Sequence, residues 1–314
     1  NSNEGILGSE LDNYTDEELK SVITKYSVYA RVTPEHKRRI VTVFQTMGKV
    51  VAMTGDGVND APAIKDAHVG IGMGITGTEV TKNVADVILL DDSFSTIVDA
   101  VEEGRRIYAN IRNNIVYSLS SNFAEIFVVL ISMIFGYNIL LPIHILFIDL
   151  VTDSIPSICL SYEKAEKEIM NQNPRGLNKP MFTKFVWGEI VISSIIETIF
   201  VLVTYFISLK YFSSNVASTL ALLSLVMQEI IYAFSCRNLK KYIFKEGIFS
   251  NKAFNIGISI LLIIEALVFL TPIGNVISVV VVDIKTILLV ILFNLLAFII
   301  YEIAKVKVSK LLKD

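Results

Sequence analysis

The chain has 314 residues, 53% of them hydrophobic, with 28 Lys and Arg against 31 Asp and Glu, for a net charge of −3. Near-balanced charge, and no basic tract interleaved with aromatics, exclude nucleic acid as a partner. Cys159 and Cys236 lie near the ends of apolar runs and give neither a disulfide framework nor a zinc pattern. The mean hydropathy of +0.57 averages two unlike parts. Residues 1–110 carry ordinary charge density with many Gly, Asp and Lys, whereas apolar runs dominate from about residue 115. The first part holds a small core but is short for a full enzyme domain. Residues 1–10 are polar and lack the basic start of a signal peptide, so the chain reads as beginning inside something longer.

In chain order, Thr33-Pro34-Glu35 opens a helix running to about residue 47, with Thr33 as cap and Pro34 at the first helical position. Residues 48–53 form a short apolar strand that ends at a Gly-rich turn, TGDGVND. A short helix follows over 61–67, then strands over 69–74 and 87–90. Strands alternating with helices predict a parallel α/β sheet. A long charged helix over 95–114 then runs into the first apolar span.

The apolar spans are 115–135, 142–160, 185–209, 216–235, 254–272 and 285–304, each near the 20 residues a bilayer core requires. Basic residues alternate between the loops. Lys164, Lys167, Arg175, Lys179 and Lys184 crowd one loop; Arg237, Lys240, Lys241, Lys245 and Lys252 crowd another; the tail holds Lys305, Lys307, Lys310 and Lys313. The intervening turns are almost free of them. By the positive-inside rule this predicts a multi-pass membrane protein with residues 1–110 and the C-terminus cytoplasmic. Trp187 and tyrosines near span ends read as interfacial anchors.

The turn Thr54-Gly55-Asp56-Gly57-Val58-Asn59-Asp60 follows a strand, where open α/β sheets bind ligands. Its glycines allow close backbone approach to an anion. Asp56 and Asp60, four apart, can face one site and hold Mg²⁺ through oxygen. Asn59 can donate to a phosphate oxygen, and Lys37 can neutralise a transferring phosphoryl group. An ordinary Asp/Gly turn is the plain alternative, but the full run TGDGVNDAPA is far more specific.

TGDGVNDAPAIKDAHVGIGMG closely resembles the hinge motif of P-type ATPases that pump calcium, sodium/potassium or protons. RVTPEHKRRIV upstream and DDSFSTIVDAVEEGRRIYANIRNNIVYSLSSN downstream match as well. The resemblance covers nearly the whole chain. It implies an α/β Rossmann-like, haloacid-dehalogenase-like partial phosphorylation domain over 1–110, followed by an all-α bundle of six transmembrane helices over 111–314. It implies ATP as the substrate of the whole pump, Asp56 as the Mg²⁺ ligand with Asp60 beside it, and catalytic roles for Lys37, Thr54, Gly55, Asn59 and Asp60. The family's phosphorylated aspartate lies in a DKTGT motif that this chain lacks, as it lacks an actuator loop, a nucleotide-binding domain and four further helices. The chain therefore resembles the C-terminal part of a pump, is not expected to hydrolyse ATP alone, and has the N-terminal portion as its first partner.

Charged side chains inside a bilayer are costly and by default mark an ion path. Glu125 lies mid-span with Asn122 three residues before it, on one helix face. Asp149, Thr152 and Asp153 have the i, i+3, i+4 spacing of a shared face, and Pro156 cannot donate to the Thr152 carbonyl. That opens the helix beside the acids, as broken transporter helices do. Glu229 lies in the fourth span. A hydrogen bond between helices is the plain reading of Asn122 or Thr152 alone. Glu197 and Glu265 match no family ligand and read as hydrogen-bonded or protonated side chains.

SSNFAEIF and LVTDSIPS resemble the ligand segments of calcium pumps, with Asn122, Glu125, Thr152 and Asp153 in ligand positions; Glu229 falls where such pumps place a glutamate, and Asp149 completes the transported-cation set. Hard oxygen ligands suit Ca²⁺. Asp149, where calcium pumps usually have Asn, and the phrase SYEKAEKEIM point instead to sodium/potassium or proton/potassium pumps. Against these, Ala124 stands where their characteristic Pro would be. Ca²⁺ is the favoured cargo and a monovalent cation the alternative. A non-enzymatic channel or carrier would not need the TGDGVNDAPA constellation, and a haloacid-dehalogenase-like phosphatase would not need six spans.

Overall fold

The computed structural model describes residues 4–176 and 179–312. They divide into two compact units: Asn1–Glu103 with Glu168–Lys179, and Gly104–Lys167 with Pro180–Asp314.

In the first unit, β1 (Glu4–Leu7) and β2 (Tyr26–Ala30) pair in parallel across α1 (Gly8–Leu11) and α2 (Asp16–Val22). Their sequences, EGIL and YSVYA, are not continuous apolar runs, so sequence reading left them out. Thr15 starts α2 by accepting the Glu18 N–H while the Glu18 carboxylate accepts the Thr15 N–H, at 3.3 and 2.8 Å. Ile6, Leu11, Leu19, Ile23 and Val43 make the small core. Val43 comes from α3 (Pro34–Thr46), whose cap is Thr33, accepting the His36 N–H at 3.2 Å.

A second ladder runs β3 (Ala52–Gly55), β4 (Val69–Met73), β5 (Val87–Leu89), all parallel with β4 central. Crossovers α4 (Ala61–Asp66) and α5 (Glu79–Val84) join them. The parallel α/β character expected from the sequence is present, as two short ladders of two and three strands among the described residues. At Gly70 an added Cβ would meet Ile64 Cγ2 and the Ile64 carbonyl at 2.7 Å, so glycine lets α4 lie against β4.

Six helical segments are long and apolar enough to cross a membrane: Phe94–Phe135, Pro142–Leu160, Lys184–Leu209, Ser214–Cys236, Lys252–Leu270 and Ile284–Leu311. The chain is a multi-pass membrane protein. The first, α6, is one uninterrupted 42-residue helix, so the charged stretch and the first apolar span are a single element. The second consists of α7 (Pro142–Phe147), a π turn over Ile148–Thr152 and α8 (Ser154–Leu160). The rest are α9 (Lys184–Leu209), α10 (Ser214–Cys236), α12 (Lys252–Leu270) and α13 (Ile284–Leu311), with short α11 (Ile243–Glu246) between α10 and α12.

Within the second unit α10 is central. Nearly every residue from Ala217 to Cys236 is buried, while α12 and α13 leave broad apolar faces exposed, as suits helices against lipid. Buried polar ties fix the arrangement. Asn294 accepts from Ser224 and Gln228 at 2.8 and 2.6 Å, and the Tyr301 hydroxyl donates to Gln228 at 2.8 Å, joining α10 to α13. Arg237 forks onto both oxygens of Glu163 at 2.7 and 3.0 Å, closing the loop after α8 onto the loop after α10.

Candidate functional site

In the first unit the turn 54–60 leaves the C-terminal end of β3. Lys37, on α3, donates to Asp60 Oδ1, and the Gly57 N–H donates to Asp60 Oδ2 at 3.3 Å. Asp60 is buried, 7% exposed, so both its oxygens are already engaged by the protein. Asp56 and Asn59 are exposed and Thr54 half-buried. Gly55 is required by space: a Cβ there would lie 2.4 Å from Asp60 Cβ and 2.7 Å from Asp60 Oδ2. The structure thus brings Lys37, Gly55 and Asp60 together and leaves Asp56 and Asn59 facing outward on the same turn. Asp56 keeps a hard, open carboxylate of the kind that suits Mg²⁺, whereas Asp60 is committed to Lys37 and Gly57.

Sequence reading missed the residues that hold this turn. The Thr81 hydroxyl donates to the Gly57 carbonyl at 3.1 Å, and the Thr78 N–H donates to the Asp56 carbonyl at 2.9 Å. Next to them Asp92 gathers the N–H groups of Gly74, Ile75 and Thr76 at 2.7, 3.0 and 2.8 Å, plus the Thr76 hydroxyl at 2.8 Å. These donors pull its carboxyl down to about 2. The only sequence signals were the N-cap pattern at Thr78 and the paired Asp91-Asp92 before a helix.

In the second unit the widened turn sits where Pro156 predicted an opening. The Asp153 N–H reaches back five residues to the Ile148 carbonyl at 3.0 Å. A π turn takes more residues per turn than the 3.6 of an α-helix. Position i+3 therefore falls short of a full turn, while i+4 nearly completes one. Asp149 and Asp153 accordingly line one cavity of about 370 Å³, with Asn122, Ser118, Ser154 and Ser157. Thr152 does not join them. It is fully buried and donates to Glu265 Oε1 on α12 at 3.0 Å. The shared face expected for Asp149, Thr152 and Asp153 holds for the two acids and fails for the threonine.

Tyr117 donates to Asp153 Oδ1 at 3.0 Å, a contact between α6 and the broken helix that sequence reading did not include. Glu125 and Glu229 are 6% and 0% exposed. Glu125 Oε1 and both oxygens of Glu229 have no hydrogen-bond partner. Such groups are rare in folded proteins, because an unpaired buried polar atom costs about 1–3 kcal/mol and more when charged. Among the described residues, no three His, Cys, Asp or Glu side chains converge closely enough to hold a metal ion by themselves. The predicted set is therefore split into a cavity group, Asn122, Asp149 and Asp153, and the buried Glu125 and Glu229.

Residues 137–306 match the family model described as "Cation transporting ATPase, C-terminus". This chain belongs to the cation-transporting ATPase family. Among similar proteins are Calcium-transporting ATPase 1 of Bacillus cereus, 36% identical over 96% of this chain and 36% of its own length, and Calcium-transporting ATPase 1 of Schizosaccharomyces pombe, 40% identical over 85% and 30%. Potassium-transporting ATPase alpha chain 2 of Homo sapiens is 50% identical over a shorter stretch, 55% of this chain and 17% of that protein. The chain thus spans about a third of the length of the calcium-transporting relatives it matches. The family match covers the spans after α6, the last of them as far as residue 306. Asp149, Thr152, Asp153 and Glu229 lie inside it, and Asn122 and Glu125 lie before it.

Proposed function

We propose that this chain is the C-terminal part of an ATP-driven cation pump whose cargo is Ca²⁺. The observation that carries the proposal is the set of acids in apolar spans, with Asp149 and Asp153 opening onto one cavity and Glu125 and Glu229 buried with unpaired oxygens. A cation-transporting family and hard-oxygen donors in a membrane together point to ion coordination. In this reading residues 1–110 are the C-terminal portion of a haloacid-dehalogenase-like phosphorylation domain, residues 111–314 are the cation-transport bundle, and residues 1–110 and the C-terminus face the cytoplasm.

The TGDGVND turn then serves phosphoryl transfer to and from an aspartate supplied elsewhere in the pump. Asp56 would hold Mg²⁺, which offsets charge on the transferring phosphoryl group. Lys37, oriented by Asp60, presents its ammonium toward the same place. Thr54, Gly55 and Asn59 shape and line the anion seat. Continuous α6 is the element through which a phosphorylation-linked movement would reach Asn122, Glu125 and Tyr117.

A second reading, a monovalent-cation pump, is favoured by Asp149 and by the 50% identity to a potassium-transporting ATPase. The test is ATPase activity of the reconstituted full-length pump with Ca²⁺, Na⁺ or K⁺ as the only activating cation. Activation by Ca²⁺ at low concentration supports the first reading. Activation by Na⁺ or K⁺ alone replaces it with the second, and activation by none removes both.

A further inference from the structure

Glu197, on α9, is a buried acid with no role so far. It is 0% exposed, and neither carboxylate oxygen has a hydrogen-bond partner. Only Glu229 shares both properties among the described carboxylates. Glu265, the other acid that matched no family ligand, differs because Thr152 satisfies one of its oxygens.

The helix pinning places Glu197 and Glu229 on the same side of one link. The Ser194 hydroxyl of α9 donates to the Ser120 carbonyl of α6 at 2.9 Å, and the Ser120 hydroxyl meets the Tyr232 hydroxyl of α10 at 3.2 Å. Three helices are thus linked through Ser120. Glu197 lies three residues after Ser194 and Glu229 three before Tyr232. Because α9 and α10 are joined by a short turn and pack antiparallel, both offsets point the same way along the bundle. At 1.5 Å per residue each acid stands about 4.5 Å beyond the tie. The charges of Asp153 and Glu125 act on Glu197, and that of Glu197 acts on Glu229.

Four carboxylate oxygens without donors, in an apolar bundle, with further acids as electrostatic neighbours, call for positive charge from outside the chain. A proton on each acid would remove its charge without bringing a ligand to the pair. A hard cation contacts several oxygens at once. We infer that Glu197 and Glu229 form a two-carboxylate subsite for a hard, oxygen-preferring cation, with Glu197 a ligand of the transported ion beyond the set read from the sequence. The inference rests on the cation-pump reading above.

The test is equilibrium binding of radioactive Ca²⁺ to the purified full-length pump, counted per pump, for wild type, Glu197→Gln, Glu229→Gln, the double variant and Asp153→Asn. Loss of one bound ion, or affinity lowered by at least about tenfold, is expected in Glu197→Gln, since even outer-shell changes at metal sites reach that size. The double variant should lose no more than Glu229→Gln alone, because both remove the same ion. A Glu197→Gln pump with unchanged ion count and affinity overturns the inference and leaves Glu197 holding only a proton. If Asp153→Asn and Glu229→Gln also bind normally, the cation-pump reading fails with it; if those two lose binding while Glu197→Gln does not, only this inference fails. Should Glu197→Gln not fold, wild-type pump treated with a hydrophobic carbodiimide decides the matter. Ca²⁺ protection of Glu197, read by mass spectrometry of its peptide, supports the subsite, and modification unaffected by Ca²⁺ overturns it.

Discussion

The anchoring acids of the first unit and the mid-span acids Glu125, Glu197 and Glu229 of the second are handled in opposite ways. In the first unit Asp60 is matched by Lys37 and the Gly57 N–H, and Asp92 by three N–H groups and a hydroxyl. In the second unit Glu197 and Glu229 are fully buried with every oxygen unpaired, and Glu125 keeps one oxygen unpaired. A satisfied carboxylate holds a loop in place and repays its own desolvation. An unsatisfied one in an apolar medium costs the fold and persists when something outside the chain completes it. In the proposed reading, pairing separates acids that shape this protein from acids that would bind a cation, with Asp153, paired through one oxygen to Tyr117, between the two.

The largest expected effect tests that separation inside the membrane. Asp153→Asn in the full-length pump should lower cation affinity by at least about tenfold and leave thermal stability equal or higher, because a buried charge is removed. Cation-dependent ATPase titrations and melting curves measure the two effects. Unchanged affinity together with lost stability would place Asp153 with the structural acids, as a partner of Tyr117.

Gly55→Ala comes next, in the first unit. The new Cβ would sit within 2.7 Å of three Asp60 side-chain atoms, so the turn must move or Asp60 must leave Lys37. Overpacking of this kind costs about 1–3 kcal/mol. Phosphorylation of the full-length pump by ATP should fall sharply, while its equilibrium cation affinity should hold. If cation affinity falls equally, the two classes of acid are not functionally separable in this way. A smaller loss, about 1 kcal/mol, is expected for Thr33→Ala, which removes the cap of the helix carrying Lys37. Chemical denaturation of the first unit's signal measures it.

Much of this was legible because each signal was local. Pro156 announced an opened helix, Thr33-Pro34 announced a helix start, and span lengths announced the crossings. All three appear in place. What stayed hidden depends on contacts between distant segments or on altered local periodicity. The Thr152–Glu265 bond joins residues 113 apart, and Tyr117–Asp153 joins residues 36 apart. The rule that i, i+3 and i+4 share a face assumed α-helical spacing, and the same Pro156 that was read correctly sits beside the π turn that voids it. The β1–β2 pair escaped because EGIL and YSVYA lack the continuous apolar runs that marked β4 and β5.

The smallest effect concerns Asp92, the best-satisfied acid of the first unit. Its backbone at φ 50° lies in the left-handed region, which Asn also tolerates, so Asp92→Asn isolates the charge. Its carboxyl is held near 2 against an ordinary 3.8, chiefly by the N–H groups of Ile75 and Thr76. The folded state therefore binds its proton more weakly than the unfolded chain does. The stabilisation is fully present above about pH 4 and is lost as pH falls from there through about 2. Melting of the first unit should drop over that window more steeply in wild type than in Asp92→Asn, and the two curves should converge at its acid end. Because the group is open to solvent, salt will shrink the difference. Parallel curves across the window would mean that Asp92 shapes the 74–76 loop through geometry alone, and pairing would then cease to mark a charge that stabilises the fold.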